Sequence, residues 1–350
     1  MIDELIPQVR LNCLISDAAF WGYYSTCGLL LRLREQYRFE EGIPPGLPVD
    51  IRNVGPWIEK REAEWQRLED EPLRDIVLEG KTYAPFDSES VSSLIESEGF
   101  VYGGGHGVYM KPVFFLAELN SRSTLGGTTV LKAGRELVRD LSIHPAMSRG
   151  NVIIARSDMV HAMLRDRFEE YRASTRKGML AAAFEAYAAS PDAIEADIRK
   201  VADSELETFI HHEYGEIIES SRLGPDWAGL LEALGTSRTG LELRGLKDAL
   251  ADTTEGGMLS HIIGGQKAGS LYFYISSLTG LRYTLAAAVR KAAKKFAGSG
   301  DWRAIEQARR GSYETSLGVT DECLEVYHNS SPNELEENLK AALLRACPMR

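Results

Sequence analysis

The sequence predicts a predominantly helical α+β protein, with a small, mainly antiparallel sheet in the N-terminal half and an all-helical C-terminal half. Three observations carry this reading. Short apolar runs with the two-residue period of strands occur only in the first 175 residues. From Ser174 onward apolar residues recur at helical spacing almost without a break. Glycines, several with a proline beside them, stand at most of the joints. Helix should therefore exceed strand by at least about three to one.

Taken in order, residues 17–37 carry Leu29, Leu30, Leu31 and Leu33 amid arginines, which predicts a helix with Asp17 as its N-cap. The prolines and glycines of Glu41–Pro56 predict a loop, and Pro56 suits the first turn of a charged helix reaching Asp70. Asp87 caps a short helix, Ser88–Ser97, which Gly99 ends. Phe100–Tyr102, the run Gly103-Gly104-Gly105-His106-Gly107 and Val108–Leu119 then read as strand, turn and strand. Asn151–Ala155 is a short apolar strand, and Ser157 opens a helix through Tyr171. Ser190-Pro191 starts a long helix that Gly224-Pro225 stops. Helices near 226–234, 240–251, 255–263, 266–279, 282–297, 301–312, 319–328 and 332–346 come next. Two domains result, 1–173 and 174–350, with a soft boundary at 173–190.

Composition narrows the class. The 350 residues, 44% apolar and 26% charged, suffice for a sizeable core. Forty basic against 51 acidic residues give a net charge of −11, which argues against an electrostatic grip on nucleic acid or anionic lipid. The most apolar stretch, between Lys267 and Arg282, holds 14 uncharged residues, whereas a membrane span needs about 20. The acidic start Met1-Ile2-Asp3-Glu4 is unlike a secretory signal. Cys13, Cys27, Cys323 and Cys347 are scattered without a C-x-x-C pair. The expectation is a cytoplasmic protein that does not enter membranes, with a protein partner or a homo-oligomer left open.

Ser25-Thr26-Cys27-Gly28-Leu29-Leu30-Leu31-Arg32-Leu33-Arg34-Glu35, Tyr102-Gly103-Gly104-Gly105-His106-Gly107 and His144-Pro145-Ala146-Met147-Ser148-Arg149-Gly150-Asn151 together resemble an uncharacterised bacterial family of unknown function. The resemblance implies a bacterial cytoplasmic origin and supplies no chemistry.

Chemistry must come from the residues. On the long helix, Leu206, Ile210 and Ile217 mark an apolar face, which places Glu213 inside it, Glu216 beside Phe209 and His212 one position further round. A buried carboxylate needs a cation, a hydrogen-bond donor or a metal. His212-Glu213-x-x-Glu216 resembles the zinc-protease pattern H-E-x-x-H with glutamate for the second histidine. Its spacing lets His212 and Glu216 share a divalent ion (zinc, manganese or iron), with Glu213 as ligand or catalytic base. His161, His106 and Glu118 are the candidates for a further ligand. The competing reading pairs Glu213 or Glu216 with an arginine from a neighbouring helix. Asp158-x-x-His161 and Glu325-x-x-His328 allow a di-iron arrangement in principle.

Weaker signals have plainer readings. The glycine run is a tight hairpin with an exposed histidine, or a ligand approach. Ser174-Thr175-Arg176-Lys177 fits S-x-x-K without its companion motifs. Cys27 reads as core, and Gly264–Ser270 as a helix–helix joint. Residues 282–310 carry eight basic side chains against Asp301 and Glu306, a local +6 within a chain of −11. This stretch is either a helical face paired with the protein's own acids or a dock for an acidic partner or anionic ligand.

Overall fold

The computed structural model describes residues 1–346 except 45, 46, 48, 174, 176 and 189, so Ser174 of the S-x-x-K match and Cys347 lie outside the described residues. The chain is 67% helix and 14% strand, near five to one, with every strand of the described residues before residue 157. It forms two compact units, one of Met1–Thr124, Thr129–Arg149 and Ile154–Arg165, the other of Leu125–Thr128, Gly150–Ile153 and Asp166–Arg350.

The N-terminal part opens with α1 (Ile2–Phe20), α2 (Thr26–Glu40) and α3 (Ile51–Leu68). Asp17 is not a cap. It sits inside α1, 2% exposed, where its carboxylate accepts from Leu141 N at 3.1 Å and meets Lys111 Nζ at 3.0 Å. Ser25 caps α2 instead, accepting from Gly28 N at 3.2 Å, and Asp50 caps α3. Two short strands, β1 (Ile76–Leu78) and β2 (Lys81–Tyr83), pair antiparallel before α4 (Ser88–Ile95), which Asp87 caps and left-handed Gly99 closes after a 3₁₀ turn.

The larger sheet is five-stranded and mixed: β3 (Phe100–His106), β4 (Pro112–Leu125), β5 (Thr128–Arg139), β6 (Ala146–Arg149) and β7 (Val152–Arg156), in the order β3-β4-β5-β7-β6. The glycine run is strand, not turn. Gly103 pairs with Phe115 and Gly104 with Phe114, and a Cβ on Gly103 would fall 2.0 Å from the Phe115 ring. A Cβ on Gly104 would meet the Pro85 carbonyl oxygen at 2.5 Å. Glycine is thus demanded by close approach within a strand, the role it takes where neighbours crowd the backbone. The edge of β3 is covered: Ser88 Oγ and Ser92 Oγ on α4 each donate to one strand carbonyl and accept from the amide of the same residue, Gly104 and Tyr102. The turn comes later, at Val108–Met110, where Tyr109 and Met110 both hold φ of 58°.

After β7 comes α5 (Ser157–Ala173), and the remaining elements are helices: α6 (Met179–Glu185), α7 (Pro191–Leu234), α8 (Arg238–Thr253), α9 (Met258–Gly264), α10 (Ala268–Ser277), α11 (Gly280–Leu285), α12 (Ala287–Ser299), α13 (Trp302–Asn329) and α14 (Leu335–Ala346). Ser190 caps α7, and Gly224 (φ 69°) with Pro225 kinks it. The predicted 301–312 and 319–328 helices are one, α13 running through Gly311 and Gly318, where an added Cβ would meet open space. Gly264–Ser270 is the α9–α10 joint, with Gln266 at φ 50°. Leu223, Trp227, Leu230, Leu243, Leu246, Leu250, Cys323 and Leu339 build the core of α7, α8, α13 and α14.

One close approach marks where α7 meets α8. Gly215 on α7 lies against the α8 backbone, and a Cβ there would come 2.2 Å from the Ala251 carbonyl oxygen. Gly215→Val is expected to destabilise the second unit by about 2–4 kcal/mol, read by urea unfolding, because backbone rather than a movable side chain must give. An unchanged midpoint would mean the two helices can part at no cost.

Candidate metal centre

Two facing helices build the site. His212 and Glu216 stand one turn apart on α7, Asp248 and Asp252 one turn apart on α8, with Lys247 beside them. The Gly215 contact brings the two i,i+4 pairs together. Arg282, from α11, completes the group.

Each side chain has a definite partner. His212 Nδ1 lies 2.8 Å from Asp252 Oδ1, and Nε2 lies 3.4 Å from Glu216 Oε1. Lys247 Nζ donates to Glu216 Oε2 at 2.8 Å. Arg282 donates to Asp252 Oδ2 at 2.6 Å and approaches Asp248 Oδ2 at 3.8 Å. The Asp252 carboxylate is fully buried, whereas the side chains of His212, Glu216 and Asp248 keep 15%, 23% and 32% of their exposure, so the group opens on one side. One donor atom from each of His212, Glu216 and Asp248 lies within 4.8 Å of the other two.

The electrostatics come from this arrangement. Burial favours a neutral His212 ring, but hydrogen bonds to Asp252 and Glu216 outweigh it and hold the imidazolium well above its usual range. Burial opposes ionisation of Glu216 too, yet His212 and Lys247 keep it well below the carboxylate range. Asp252 is also lowered against burial, by Arg282 and His212. Asp248 is the exception. Burial pushes it up to about 6, offset only in part by the more distant Arg282.

The sequence-predicted residues divide accordingly. His212 and Glu216 converge as the spacing suggested. Glu213, expected inside the apolar face, is half-buried and not among the three converging donors. The buried carboxylates of α7 are Glu205, held by Ser270 Oγ at 2.6 Å and the Tyr187 hydroxyl, and Glu219, held by Arg222 and Tyr313. They come inward because α7 is packed on several sides, so one apolar stripe does not describe it. The three candidates for a further ligand belong to the first unit. His161 is buried on α5, His106 stacks on Phe86 at the end of β3, and Glu118 on β4 pairs with Arg135 at 2.5 Å. His328 is on the surface, 3.3 Å from Asp226. The residues that spacing missed are Asp248, Asp252, Lys247 and Arg282. Asp248-x-x-x-Asp252 repeats the His212-x-x-x-Glu216 period, and that echo was the available signal.

In the first unit the three motif stretches meet around a second polar cluster. Arg32 Nη1 donates to the Leu141 carbonyl at 2.9 Å, and a Cβ on Gly107 would strike His144 Nε2 at 2.0 Å. Lys111 sits between Asp17 and Asp140, at 3.0 and 3.3 Å. Burial pushes the His144 imidazole down to about 4. Cys27, expected in the core, is exposed on α2, while Cys13 and Cys323 are buried.

Comparison with known proteins gives a family and no chemistry. The N-terminal domain model of a family of unknown function (DUF6866) matches residues 4–156, and the C-terminal domain model of the same family matches 161–345. The chain belongs to this family. No curated protein and no solved structure matches it. No helix among the described residues is long and apolar enough to cross a membrane.

Proposed function

We propose that the protein binds one divalent metal ion, zinc, manganese or iron, through His212 Nε2, Glu216 and Asp248. The observation that supports this is the convergence of three donors, two of them with the other polar atom already hydrogen-bonded. Asp252 holds Nδ1 of His212 and Lys247 holds Oε2 of Glu216, while Arg282 approaches Oδ2 of Asp248 at 3.8 Å. A carboxylate on the far nitrogen of a ligating histidine fixes the tautomer and turns the ring toward the ion. One imidazole with two carboxylates suits these three metals, whose donors stand about 2.0–2.2 Å from zinc. Three protein ligands leave a position for water or substrate, the arrangement of a metal-dependent enzyme rather than of a closed structural site.

A second reading has its own support. Lys247, Arg282 and a protonated His212 already balance Glu216, Asp248 and Asp252, as a purely structural ion-pair network would. Elemental analysis of protein purified without chelator or metal-affinity tag separates the two. Metal binding predicts about one ion per chain, lost in His212→Ala, and a melting temperature that EDTA lowers. Saturation at about 1,000 times Kd is worth about 4 kcal/mol. Metal-free protein whose melting ignores added zinc, manganese and iron leaves the ion-pair network as the reading.

A further inference from the structure

In the polar cluster of the first unit, Arg32 stands apart. Arg156 pairs with Glu136 at 2.7 Å, and Lys111 lies between Asp17 and Asp140. Arg32 pairs with no carboxylate among the described residues. Its half-buried guanidinium lies 4.7 Å from the centroid of the Tyr24 ring and gives Nη1–H to the Leu141 carbonyl at 2.9 Å. Nε and Nη2 have no acceptor among the described residues, and both remain open to solvent.

His144 follows Leu141 by three residues, near enough to Arg32 for the guanidinium to help hold its ring neutral. The ring lies on the backbone of Gly107, where an added Cβ would strike Nε2 at 2.0 Å, so a side chain at 107 would displace it. Neither ring nitrogen has a hydrogen bond among the described residues, and neither is sealed from solvent. A neutral imidazole keeps one N–H to donate and one nitrogen to accept. Two residues past Gly107, Tyr109 meets Tyr23, with ring centroids 5.3 Å apart and the two residues 41% and 59% exposed. Tyr23 immediately precedes Tyr24, so this aromatic ledge borders the Arg32–Tyr24 pair.

We propose that Arg32 and His144 bind the carboxylate of a small monoanionic ligand whose planar body lies on the Tyr23–Tyr109 ledge. The guanidinium fork matches a carboxylate with two parallel N–H donors, and stacking on Tyr24 fixes the plane of that fork. The surrounding charge selects the class. Asp17 and Asp140 outnumber the Lys111 between them, so a doubly charged phosphate is repelled more than a carboxylate. The half-exposed rings supply the apolar contact that a partly solvated ion pair, weak by itself, needs for affinity. The site is distinct from the candidate metal centre, whose residues belong to the second unit.

The test uses the full chain, treated with chelator so that no metal holds the ligand instead. Benzoate, benzamide, acetate and inorganic phosphate are the probes, followed by ligand-observed NMR titration. Benzoate should bind with a millimolar Kd, about tenfold or more tighter than benzamide, which keeps the ring and lacks the charge. Acetate and phosphate should both bind more weakly than benzoate. Arg32→Met should abolish the preference for benzoate over benzamide with an unchanged circular dichroism spectrum, and Arg32→Lys, which keeps the charge without the fork, should restore only part of it. Tyr109→Ala, at an exposed ring, should bring benzoate down to the affinity of acetate. If Arg32→Met does not fold, the benzoate-to-benzamide ratio in wild type and the Tyr109→Ala result decide the matter. No benzoate binding at about 10 mM, equal binding of benzoate and benzamide, or tighter binding of phosphate overturns the proposal. Unchanged benzoate affinity in Arg32→Met or in Tyr109→Ala overturns it as well.

Discussion

Asp252→Ala is expected to destabilise the chelator-treated protein by about 3–5 kcal/mol, because it leaves the Arg282 guanidinium and the His212 imidazolium without their buried partner. The carboxylate is fully buried and its two oxygens are divided between these cations, at 2.8 and 2.6 Å. Removing it costs the desolvation of whatever charge remains, not merely two hydrogen bonds. Arg282→Met in the same background should recover more than about 1 kcal/mol of the loss, since residues in contact are not additive. Asp252→Asn separates stability from ligation. It keeps the shape, and if Asp252 orients His212 toward an ion, metal affinity should fall about 10–100-fold even where the variant folds. Urea unfolding without metal and calorimetric metal titration read the two effects independently. A loss under about 1 kcal/mol for Asp252→Ala would mean that water reaches the pair and screens it, contrary to its burial.

The fold class and the helix signals were legible because they are local. Asp87 and Gly99 bracket α4, Ser190-Pro191 opens α7, and Gly224-Pro225 kinks it, each through a capping oxygen, a positive φ or a missing amide. His212 and Glu216 were legible for the same reason, since helical spacing alone places them one turn apart. What completes the site was not. Asp248, Asp252 and Arg282 arrive from 32 to 70 residues downstream, and tertiary contacts such as that of Gly215 with Ala251 set which turn of α8 faces which turn of α7. The glycine run was misread as a turn for a related reason. Its conformation answers to Phe114, Phe115 and Pro85, which crowd it from a paired strand and a loop rather than from the run itself. Asp17 looks like a cap in sequence, but its partners, Lys111 and Leu141, come from the start of β4 and beyond β5, near or past a hundred residues away. Local propensity carries no record of such partners.

In the first unit, Lys111→Met should cost about 3–5 kcal/mol at pH 8, with a pH dependence that identifies the cause. Lys111 is 4% exposed and is the cation between Asp17 and Asp140, both 2% exposed. Burial pushes Asp17 up to about 6, against the pull of Lys111. Asp140 stays below the carboxylate range because Lys111, Ser142 and Arg156 outweigh its burial. A carboxylate raised above its unfolded value stabilises the fold most at low pH, and that contribution is lost as pH rises from about 4 to about 6. For Asp140, with its pKa lowered, the contribution is present above the unfolded value and lost on acidification. Without Lys111 both carboxylates lose their nearest cation, so both should prefer the protonated form. The deficit of Lys111→Met against wild type should therefore be largest at pH 8 and shrink progressively below about pH 6, where the unpaired carboxyls take up protons. Methionine keeps the length and apolar stem of the side chain, so packing alone predicts a deficit that does not move with pH. Denaturation at pH 8, 6.5 and 5 distinguishes the two: a flat deficit, or one under about 1 kcal/mol at pH 8, would show that Lys111 fills space rather than neutralising the two aspartates.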